Sequence, residues 1–359
     1  MCEKLGLYLI FMKQKIISLL TLFLFFWVFW YFYGESYWDF QKNQKNEKIF
    51  YAENAKSIEH FSLQDLPVFW DDISLHMTPD LKFLDTLVSQ IDAAQEKIYV
   101  EVYIFTEKKM REALIRAHKR GVEVKVLLEN NPYQAPYLND DTFEILQTAG
   151  IDVRWSDPLL YSLNHSKLLI IDNRGYISTG NFSYSLFAHN KDFMIELRKN
   201  DILKKLQELF LFDFNHELWG VLDQNLVVSP YNSREKLEYL LNSAEKSIDF
   251  YFPYLQDDWL EKILFEASES WVSIRGIVDK SFYEENQELI EKYKQRWIIL
   301  SPLRKDKLHA KMILVDKTYM YVWSINFSRY SMDENRELGI ILRDISLIKK
   351  MKEIFQDDF

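Results

Sequence analysis

Two short segments of the chain each place a histidine and a lysine one residue apart. The first pair is His165 and Lys167, and the second pair is His309 and Lys311. Residues i and i+2 of a strand point to the same face, so the two side chains of each pair can share one ligand. A neutral imidazole can act as a nucleophile, a protonated imidazole can donate its proton, and an ammonium group supplies positive charge. The spacing therefore indicates acid–base or nucleophilic chemistry.

The repetition extends to further polar residues at constant spacing. The matches at an offset of 144 positions are His165 with His309, Lys167 with Lys311, and Asp172 with Asp316. The matches at an offset of 145 positions are Thr179 with Ser324, Asn181 with Asn326, Ser183 with Ser328, and Asp192 with Glu337. A single-residue slip in the turn after the aspartate accounts for the change of offset. Two unrelated histidines would not carry so many polar partners in register, so the sequence contains an internal duplication.

Helical and strand patterns alternate ahead of both pairs. In the first copy, helical patterns at 81–95 and 108–120 alternate with strand patterns at 97–105 and 122–129, and the same order returns between 234 and 279. The apolar runs LLII and MILV that follow the two lysines are typical of strands buried on both faces. We predict an α/β fold of two similar halves, each a mostly parallel sheet flanked by helices. The halves would pack about a pseudo-twofold axis and share one active site.

The N-terminal region is strongly apolar. Residues 16–33 carry no charge, and as a helix they would span about 27 Å, which nearly matches a bilayer core. A secretory signal peptide is the alternative, but its apolar region is usually shorter and ends at small residues, whereas this run ends in Trp30, Tyr31 and Tyr33. We interpret residues 1–33 as an uncleaved transmembrane anchor.

The remaining domains follow from this interpretation. Residues 34–60 read as a polar linker, 61–225 as the first half and 226–359 as the second half. Lys13 and Lys15 precede the apolar run, which by the positive-inside tendency predicts a cytoplasmic N-terminus and an extracytoplasmic catalytic part. Lysines 42, 45 and 48 oppose that orientation.

Composition limits the possible functions. The chain has 359 residues and a formal net charge of −10, so it is long enough for two domains and as a whole repels polyanions. A local basic pocket is compatible with that charge. The single cysteine, Cys2, excludes an intrachain disulfide and a thiolate metal site.

The repeated motifs resemble those of a known family. HSKLLIID with STGNFS, and HAKMILVD with WSINFS, look like the two HxK(x)4D and GSxN signatures of the phospholipase D superfamily. The second copy continues to DENRELGIIL, which is similar to the C-terminal motif of bacterial cardiolipin synthases and phospholipase D-like proteins. The resemblance covers nearly all of the chain from about residue 61. It implies a phosphodiesterase or phosphatidyltransferase that requires no cofactor and no metal.

The resemblance also implies roles for the repeated residues. His165 would be the nucleophile that forms a phosphohistidine, and His309 the general acid and later the base, with the reverse assignment left open. Asp192 and Glu337 would hold the histidines in the correct tautomer. The residues expected to bind phosphate are Lys167, Lys311, Asn181, Asn326, Thr179 and Ser324. The residues expected to have a structural or orienting role are Asp172 and Asp316.

Two positions depart from the family pattern. The glycine that usually precedes the Ser or Thr of the second motif is Ser178 in the first copy and Trp323 in the second. Glycine at such a position allows close approach of backbone or substrate. The indole of Trp323 therefore either narrows the pocket or points away from it.

Three functions are compatible with the motifs. Phospholipid hydrolysis or phosphatidyl transfer ranks first, because an anchor would confine the domain near lipid headgroups and net acidity disfavours long polyanions. A membrane-tethered, metal-independent endonuclease is the alternative enzyme, and a noncatalytic scaffold is the third candidate. The expected partners are a phospholipid membrane and a phosphodiester substrate, with nucleic acid less favoured.

Overall fold

The structure is a computed structural model that describes residues 61–67, 72–198, 201–217 and 223–359. The expected anchor at 1–33, the linker at 34–60 and the orientation deduced from them concern residues outside these ranges, as does Cys2. Among the described helices, none combines the length and the apolar character needed to cross a bilayer.

Strands and helices alternate through the first half. The strands are β1 Ile73–Thr78, β2 Lys97–Val102, β3 Glu123–Leu128, β4 Asp152–Trp155, β5 Lys167–Ile171, β6 Arg174–Ser178 and β7 Asn190–Arg198. The helices are α1 Leu81–Ala93, α2 Lys108–Lys119, α3 Asp140–Thr148, α4 Tyr184–Ala188 and α5 Asp201–Phe214, after a short 3-10 helix at Leu63–Asp65. The carboxylates of Asp80 and Glu107 accept backbone hydrogen bonds at the starts of α1 and α2, which satisfies N–H groups that lack helical partners.

The second half repeats this order. Its strands are β8 Leu226–Ser229, β9 Ser247–Phe252, β10 Ser273–Val278, β11 Ile298–Pro302, β12 Lys307–Leu308, β13 Met312–Val315, β14 Tyr319–Trp323 and β15 Glu337–Leu342. Its helices are α6 Ser233–Asn242, α7 Asp258–Glu269, α8 Lys280–Glu285, α9 Gln287–Gln295, α10 Arg329–Asp333 and α11 Ile345–Asp358. Asp257 caps α7 by accepting from Leu260 N–H, as an N-terminal carboxylate should.

The described strands form two mixed sheets. Their orders are β1-β7-β6-β5-β2-β3-β4 and β11-β10-β9-β13-β14-β15-β8, and β12 of the second half pairs with β7 of the first sheet. Parallel pairing occurs within β2-β3-β4, within β9-β10-β11 and between β12 and β7. The α/β fold of two similar halves is confirmed. The expectation of mostly parallel sheets needs correction, because tight turns join β5 to β6 and β13 to β14 and such turns permit only antiparallel pairing.

One apolar core joins the two halves. It contains Ile170 of β5 and Phe210 of α5 together with Met312 of β13 and Phe355 of α11, all fully buried. Each sheet covers its other face with its own helices, in two further clusters. Burying a large apolar side chain contributes about 1.5–3 kcal/mol, so separating the halves would expose many such side chains at once. The shared core fixes the relative position of the two His-x-Lys strands.

The motif aspartates tie each His-x-Lys strand to a neighbouring strand. Asp172 accepts hydrogen bonds from the N–H groups of Gln95, Glu96 and Lys97 at 2.9–3.0 Å. Asp316 makes the equivalent contacts at 2.7–2.8 Å to the N–H groups of residues 245–247. Both aspartates lie at the end of the strand opposite to the histidine, so in this structure they hold the sheet and do not contact the histidines.

Candidate active site

Backbone hydrogen bonds from one half hold the histidine of the other half. The N–H of His165 donates to the carbonyl of Arg336 at 2.7 Å, and the N–H of His309 donates to the carbonyl of Lys191 at 3.1 Å. Arg336 and Lys191 are the residues directly before Glu337 and Asp192. The chain therefore places each histidine next to the carboxylate that belongs to the opposite half.

The two histidines exchange carboxylate partners across the interface of the halves. His165 Nδ1 lies 2.8 Å from Glu337 Oε2, and His309 Nδ1 lies 2.9 Å from Asp192 Oδ1. Both carboxylates are fully buried, which makes a hydrogen bond from Nδ1–H strongly favoured over an unpaired charge. Nδ1 is thereby the donor and Nε2 is left without a proton on a neutral ring. This reciprocal exchange is what a pseudo-twofold arrangement with one shared site requires.

Hydroxyl groups complete the orientation of the carboxylates. Thr179 Oγ1 donates to Asp192 Oδ1 at 2.6 Å, and Ser324 Oγ donates to Glu337 Oε2 at 2.6 Å. Each hydroxyl therefore fixes the carboxylate oxygen that also holds the histidine. In this structure both hydroxyl protons are donated to the carboxylates, and the phosphate contacts of Thr179 and Ser324 stay predictions.

The two lysines lie beside the histidines and are fully buried. Lys167 Nζ donates to the carbonyl of His165 at 2.6 Å. Lys311 Nζ lies 3.3 Å from the ring nitrogens of His309 and 3.4 Å from the carbonyl of Thr179. Burial lowers the pKa of both lysines, that of Lys311 to about 8. Such cations gain strongly from an anionic ligand, because a buried charge without a partner is costly.

The predicted amide donors flank this centre. Asn181 and Asn326 follow β6 and β14 at equivalent positions, and both are partly buried. Asn181 Oδ1 has no hydrogen-bond partner among the described residues. Asp192 Oδ2 and Glu337 Oε1 are likewise buried and unpaired within the described ranges. Polar groups of this kind are expected where a ligand or water completes the site.

Burial also controls the protonation of the histidines. It lowers the pKa of His165 to about 4, with Lys167 acting in the same direction and Glu337 against it. The pKa of His309 is lowered as well, mainly by burial. At neutral pH His165 is therefore an unprotonated nitrogen base. A bound phosphodiester, being anionic, would raise the pKa of both rings and favour the protonated form of the one that acts as an acid.

Trp323 points away from the predicted catalytic side chains. Successive residues of a strand face opposite sides, so Trp323 faces the core when Ser324 faces Glu337. Its ring stacks on Tyr321 with centroids 3.8 Å apart and is fully buried. Gly339 lies opposite on β15, where an added Cβ would come within 2.4 Å of the Trp323 Cβ. Of the two orientations left open by the sequence, the structure shows the one that leaves the pocket free.

Sequence reasoning missed an ion pair behind each carboxylate. Arg336 is fully buried and donates to Asp213 through Nε at 2.8 Å and Nη2 at 2.9 Å. At equivalent positions, Lys191 Nζ lies 2.8 Å from Asp358. Both pairs connect the two halves. The sequence did contain a signal, because these residues are also related by the offset of 145 positions that relates the predicted catalytic residues.

A third layer lies behind the two ion pairs. Glu101 on β2 is buried beside Asp213, and burial together with the charge of Asp213 raises the pKa of Glu101 to about 8. Glu101 is therefore protonated at neutral pH. Burial raises the pKa of Asp213 as well, while Arg336 and Glu101 act against that rise. On β9 the equivalent residue is Tyr251, whose hydroxyl donates to Asp358 at 2.7 Å. A buried carboxyl group of one half thus corresponds to a phenol of the other.

An aromatic wall adjoins the first histidine. The ring of Tyr103 packs edge-on against His165 with centroids 4.5 Å apart, and Lys167 Nζ lies 5.4 Å from the same ring. Its hydroxyl accepts a hydrogen bond from Tyr133 N–H at 2.6 Å. No group of three or more His, Cys, Asp or Glu side chains that could hold a metal occurs in the part of the chain that the structure describes.

Comparison with known proteins gives a consistent result. The family described as cardiolipin synthase, phospholipase D-like domain, matches residues 87–213 and 237–359, one match in each half. A phospholipase D of Rickettsia prowazekii is 32% identical over 171 residues, which are 46% of this chain and 78% of that protein. The major cardiolipin synthase of Bacillus subtilis is 25% identical over 354 residues, 85% of this chain and 73% of the synthase.

A solved structure shares the fold across both halves. The crystal structure of phosphatidylserine synthase from Haemophilus influenzae superposes with a TM-score of 0.69 at 14% identity, covering 86% of this chain and 90% of that one. At this identity the likeness establishes the architecture alone.

Proposed function

Since the chain belongs to the phospholipase D superfamily, in the family of cardiolipin synthase-type domains, we propose that it hydrolyses or transfers the phosphatidyl group of phospholipids through a phosphohistidine at His165. The observation that carries this proposal is the reciprocal pairing of His165 with Glu337 and of His309 with Asp192. One site thereby holds two oriented imidazoles, as a two-step displacement requires.

In the first step, Nε2 of neutral His165 attacks phosphorus while the bond from phosphorus to the leaving alcohol oxygen breaks. His309 gives its Nε2 proton to that oxygen, so the alcohol leaves neutral. Lys167 and Lys311 offset the negative charge of the phosphoryl oxygens. Asn181 and Asn326 are proposed as neutral donors to the same oxygens.

In the second step, His309 acts as the base. It removes a proton from water or from a second alcohol, whose oxygen attacks phosphorus as the bond to His165 Nε2 breaks. Water gives hydrolysis, and an alcohol gives transfer. Glu337 and Asp192 hold Nδ1–H in both steps, so that each ring presents Nε2 to the substrate.

A phospholipid substrate is supported by three observations. The named relatives act, by their names, on phospholipids. The chain has a net charge of −10, which disfavours long polyanions. Residues 16–33 form an apolar run that we propose as a membrane anchor holding the catalytic part outside the cytoplasm.

The test uses the full chain in detergent. The protein, its His165→Ala variant and a His118→Asn control on α2 are incubated with mixed phospholipids, and separately with single- and double-stranded DNA, in the presence of EDTA. We expect lipid turnover by the wild type and the control but none by His165→Ala. DNA cleavage without lipid turnover would replace the lipid proposal by the nuclease, and inactivity on both would favour the scaffold.

A further inference from the structure

The segments that lead into the two histidines align residue for residue but differ in charge. DPLLYSLNH at 157–165 corresponds to SPLRKDKLH at 301–309 at the same offset of 144. The changes of interest are Leu160 to Arg304, Tyr161 to Lys305, Ser162 to Asp306 and Leu163 to Lys307. An uncharged stretch therefore precedes His165, whereas a stretch with three cations and one anion, here named the basic segment (residues 304–307), precedes His309.

The backbone fixes the basic segment beside His309. Lys307 N–H donates to the carbonyl of His189 at 3.2 Å, and Leu308 N–H donates to Asp279 Oδ2 at 3.1 Å. Leu308 is buried at 1% exposure and pairs with Lys191 of β7. The segment thus meets the start of β7 at Lys307 and ends two residues before His309.

The side chains of the basic segment lie in solvent. Arg304, Lys305 and Lys307 are exposed, and no ion pair to any of them occurs within the described residues. Asp306 lies within the segment, and Asp279 accepts the hydrogen bond from Leu308 N–H directly after it. Three like charges so close together repel one another, and an anionic ligand would relieve that repulsion.

The side of the site that adjoins His165, here named the apolar side, carries exposed tyrosine and leucine side chains. Tyr133 is 73% exposed and its N–H holds the Tyr103 hydroxyl, whose ring contacts His165. Leu159 is 45% exposed in the uncharged stretch before His165. Tyrosine and leucine side chains exposed in this way suit the boundary between headgroups and acyl chains. The two sides of the site therefore offer different chemistry to a ligand.

The geometry of the displacement determines which part of the substrate lies next to the basic segment. In an in-line displacement the leaving oxygen departs opposite to the nucleophile, so with His165 attacking, the alcohol lies on the side of His309. We infer that Arg304, Lys305 and Lys307 bind an anionic group, such as a phosphate, carried by the alcohol that leaves or accepts, while the apolar side receives the diacylglycerol part. This inference rests on the proposed function and adds to it the class of alcohol.

The test compares two acceptors with one lipid donor. The variant Arg304→Gln/Lys305→Gln/Lys307→Gln removes the three cations without touching the buried residues. The matched control removes the same charge elsewhere and is Lys119→Gln/Lys246→Gln/Lys294→Gln. These three lysines are exposed and precede β3, β9 and β11, at the edge of the sheets opposite to the histidines. Full-chain proteins transfer the phosphatidyl group to glycerol or to glycerol phosphate in neutral detergent micelles.

We expect the basic-segment variant to raise KM for glycerol phosphate by about tenfold, as loss of several exposed charge contacts would. Its KM for glycerol, and both values for the control, should stay within about twofold of wild type. Equal effects on both acceptors, or none on either, would refute the subsite while leaving the proposed function intact. If the wild type turns over no lipid but the variant loses affinity for DNA, the segment is a nucleic-acid contact and both proposals are wrong.

Discussion

The ion pair behind the proposed nucleophile is more deeply buried and makes more hydrogen bonds than the ion pair behind the proposed acid. Arg336 is fully buried and holds Asp213 by two hydrogen bonds, whereas Lys191, whose side chain is 12% exposed, makes a single contact to Asp358. A planar guanidinium fixes the orientation of a carboxylate, while an ammonium group acts as a point charge. The two halves share the predicted catalytic groups but differ in the ion pair next to each of them.

The difference between the two ion pairs fits the different roles proposed for His165 and His309. A nucleophile must approach phosphorus along one line, so its ring gains from fixed orientation. The acid and base first protonates a leaving alcohol and then deprotonates an incoming one, so its ring gains from some freedom of orientation. His165 is nearly buried at 9% side-chain exposure, whereas His309 is 26% exposed.

The largest effect should come from removing each histidine in turn. His165→Ala should lower turnover by about 10⁴-fold or more, because no nucleophile remains. With a phosphodiester whose leaving group needs no protonation, His309→Ala should still form the phosphoenzyme and then stall, because it lacks the base. Intact-protein mass spectrometry without acid measures the intermediate. Accumulation in His165→Ala instead would establish the reverse assignment.

Removing the cation of each ion pair compares how much the two pairs stabilise the folded protein. Arg336→Met leaves Asp213 as a buried unpaired charge and should lower the free energy of unfolding by about 3–5 kcal/mol. Lys191→Met leaves Asp358, which is partly exposed, and should cost about 1 kcal/mol. Denaturant unfolding of both variants gives the comparison. Equal losses would mean that the two supports are equivalent and that the asymmetry lies elsewhere.

Glu101 makes the free energy of unfolding depend on pH, whereas Tyr251 at the equivalent position of the second half does not. The pKa of Glu101 is raised by burial and by Asp213 from its unfolded value of 4.5 to about 8. A raised folded pKa contributes stability below the unfolded value, and that stability is lost as pH rises towards 8, with a slope of up to about 1.4 kcal/mol per pH unit. Glu101→Gln keeps a polar side chain of similar size beside Asp213 and cannot ionise.

Unfolding free energies of the wild type and Glu101→Gln between pH 5 and about 9 measure this effect. The wild type should lose stability relative to the variant as pH rises across that range. Parallel curves would show that Glu101 does not carry the buried proton. Tyr251→Phe serves as the control at the equivalent position, because it adds no group that titrates in this range.

The duplication made the active site unusually accessible to prediction from sequence. Residues that repeat at fixed offsets must occupy equivalent places, so the His, Lys and carboxylate sets could be named without a structure. The exchange of partners, His165 with Glu337 and His309 with Asp192, depends on how the halves pack and is not encoded in spacing. The roles proposed for these residues in catalysis remain predictions for the experiments above.

Strand direction was predicted less well, for a physical reason. Strands separated by helices were correctly expected to be parallel, as β2 and β3 are. The runs after Lys167 and Lys311 are apolar on both faces whether the pairing is parallel or antiparallel, because both sheets are covered on both sides. The orientation of Trp323 depends on a partner, Gly339, that a single strand pattern does not reveal.

The two halves also differ in the residue that follows two of their helices, which is an exposed tryptophan in the second half and a glycine in the first. Trp271 (φ +68°) and Trp297 (φ +59°) stand two residues after helices α7 and α9, where the first half has Gly121 (φ +93°) and Gly150 (φ +87°) after α2 and α3. A left-handed backbone costs an ordinary residue about 1 kcal/mol relative to glycine.

Substitutions at these turns measure the free-energy cost of the left-handed backbone. Trp271 is 93% exposed, so its ring contributes little burial that could offset the strain. Trp271→Gly should therefore raise the free energy of unfolding by about 0.5–1 kcal/mol. Gly121→Ala, where an added Cβ meets no atom within 4 Å, should lower it by a similar amount, because only the backbone is affected. A loss of stability in Trp271→Gly would mean that the indole makes stabilising contacts in the folded protein, and the second half would then have gained a contact where the first kept a relaxed turn.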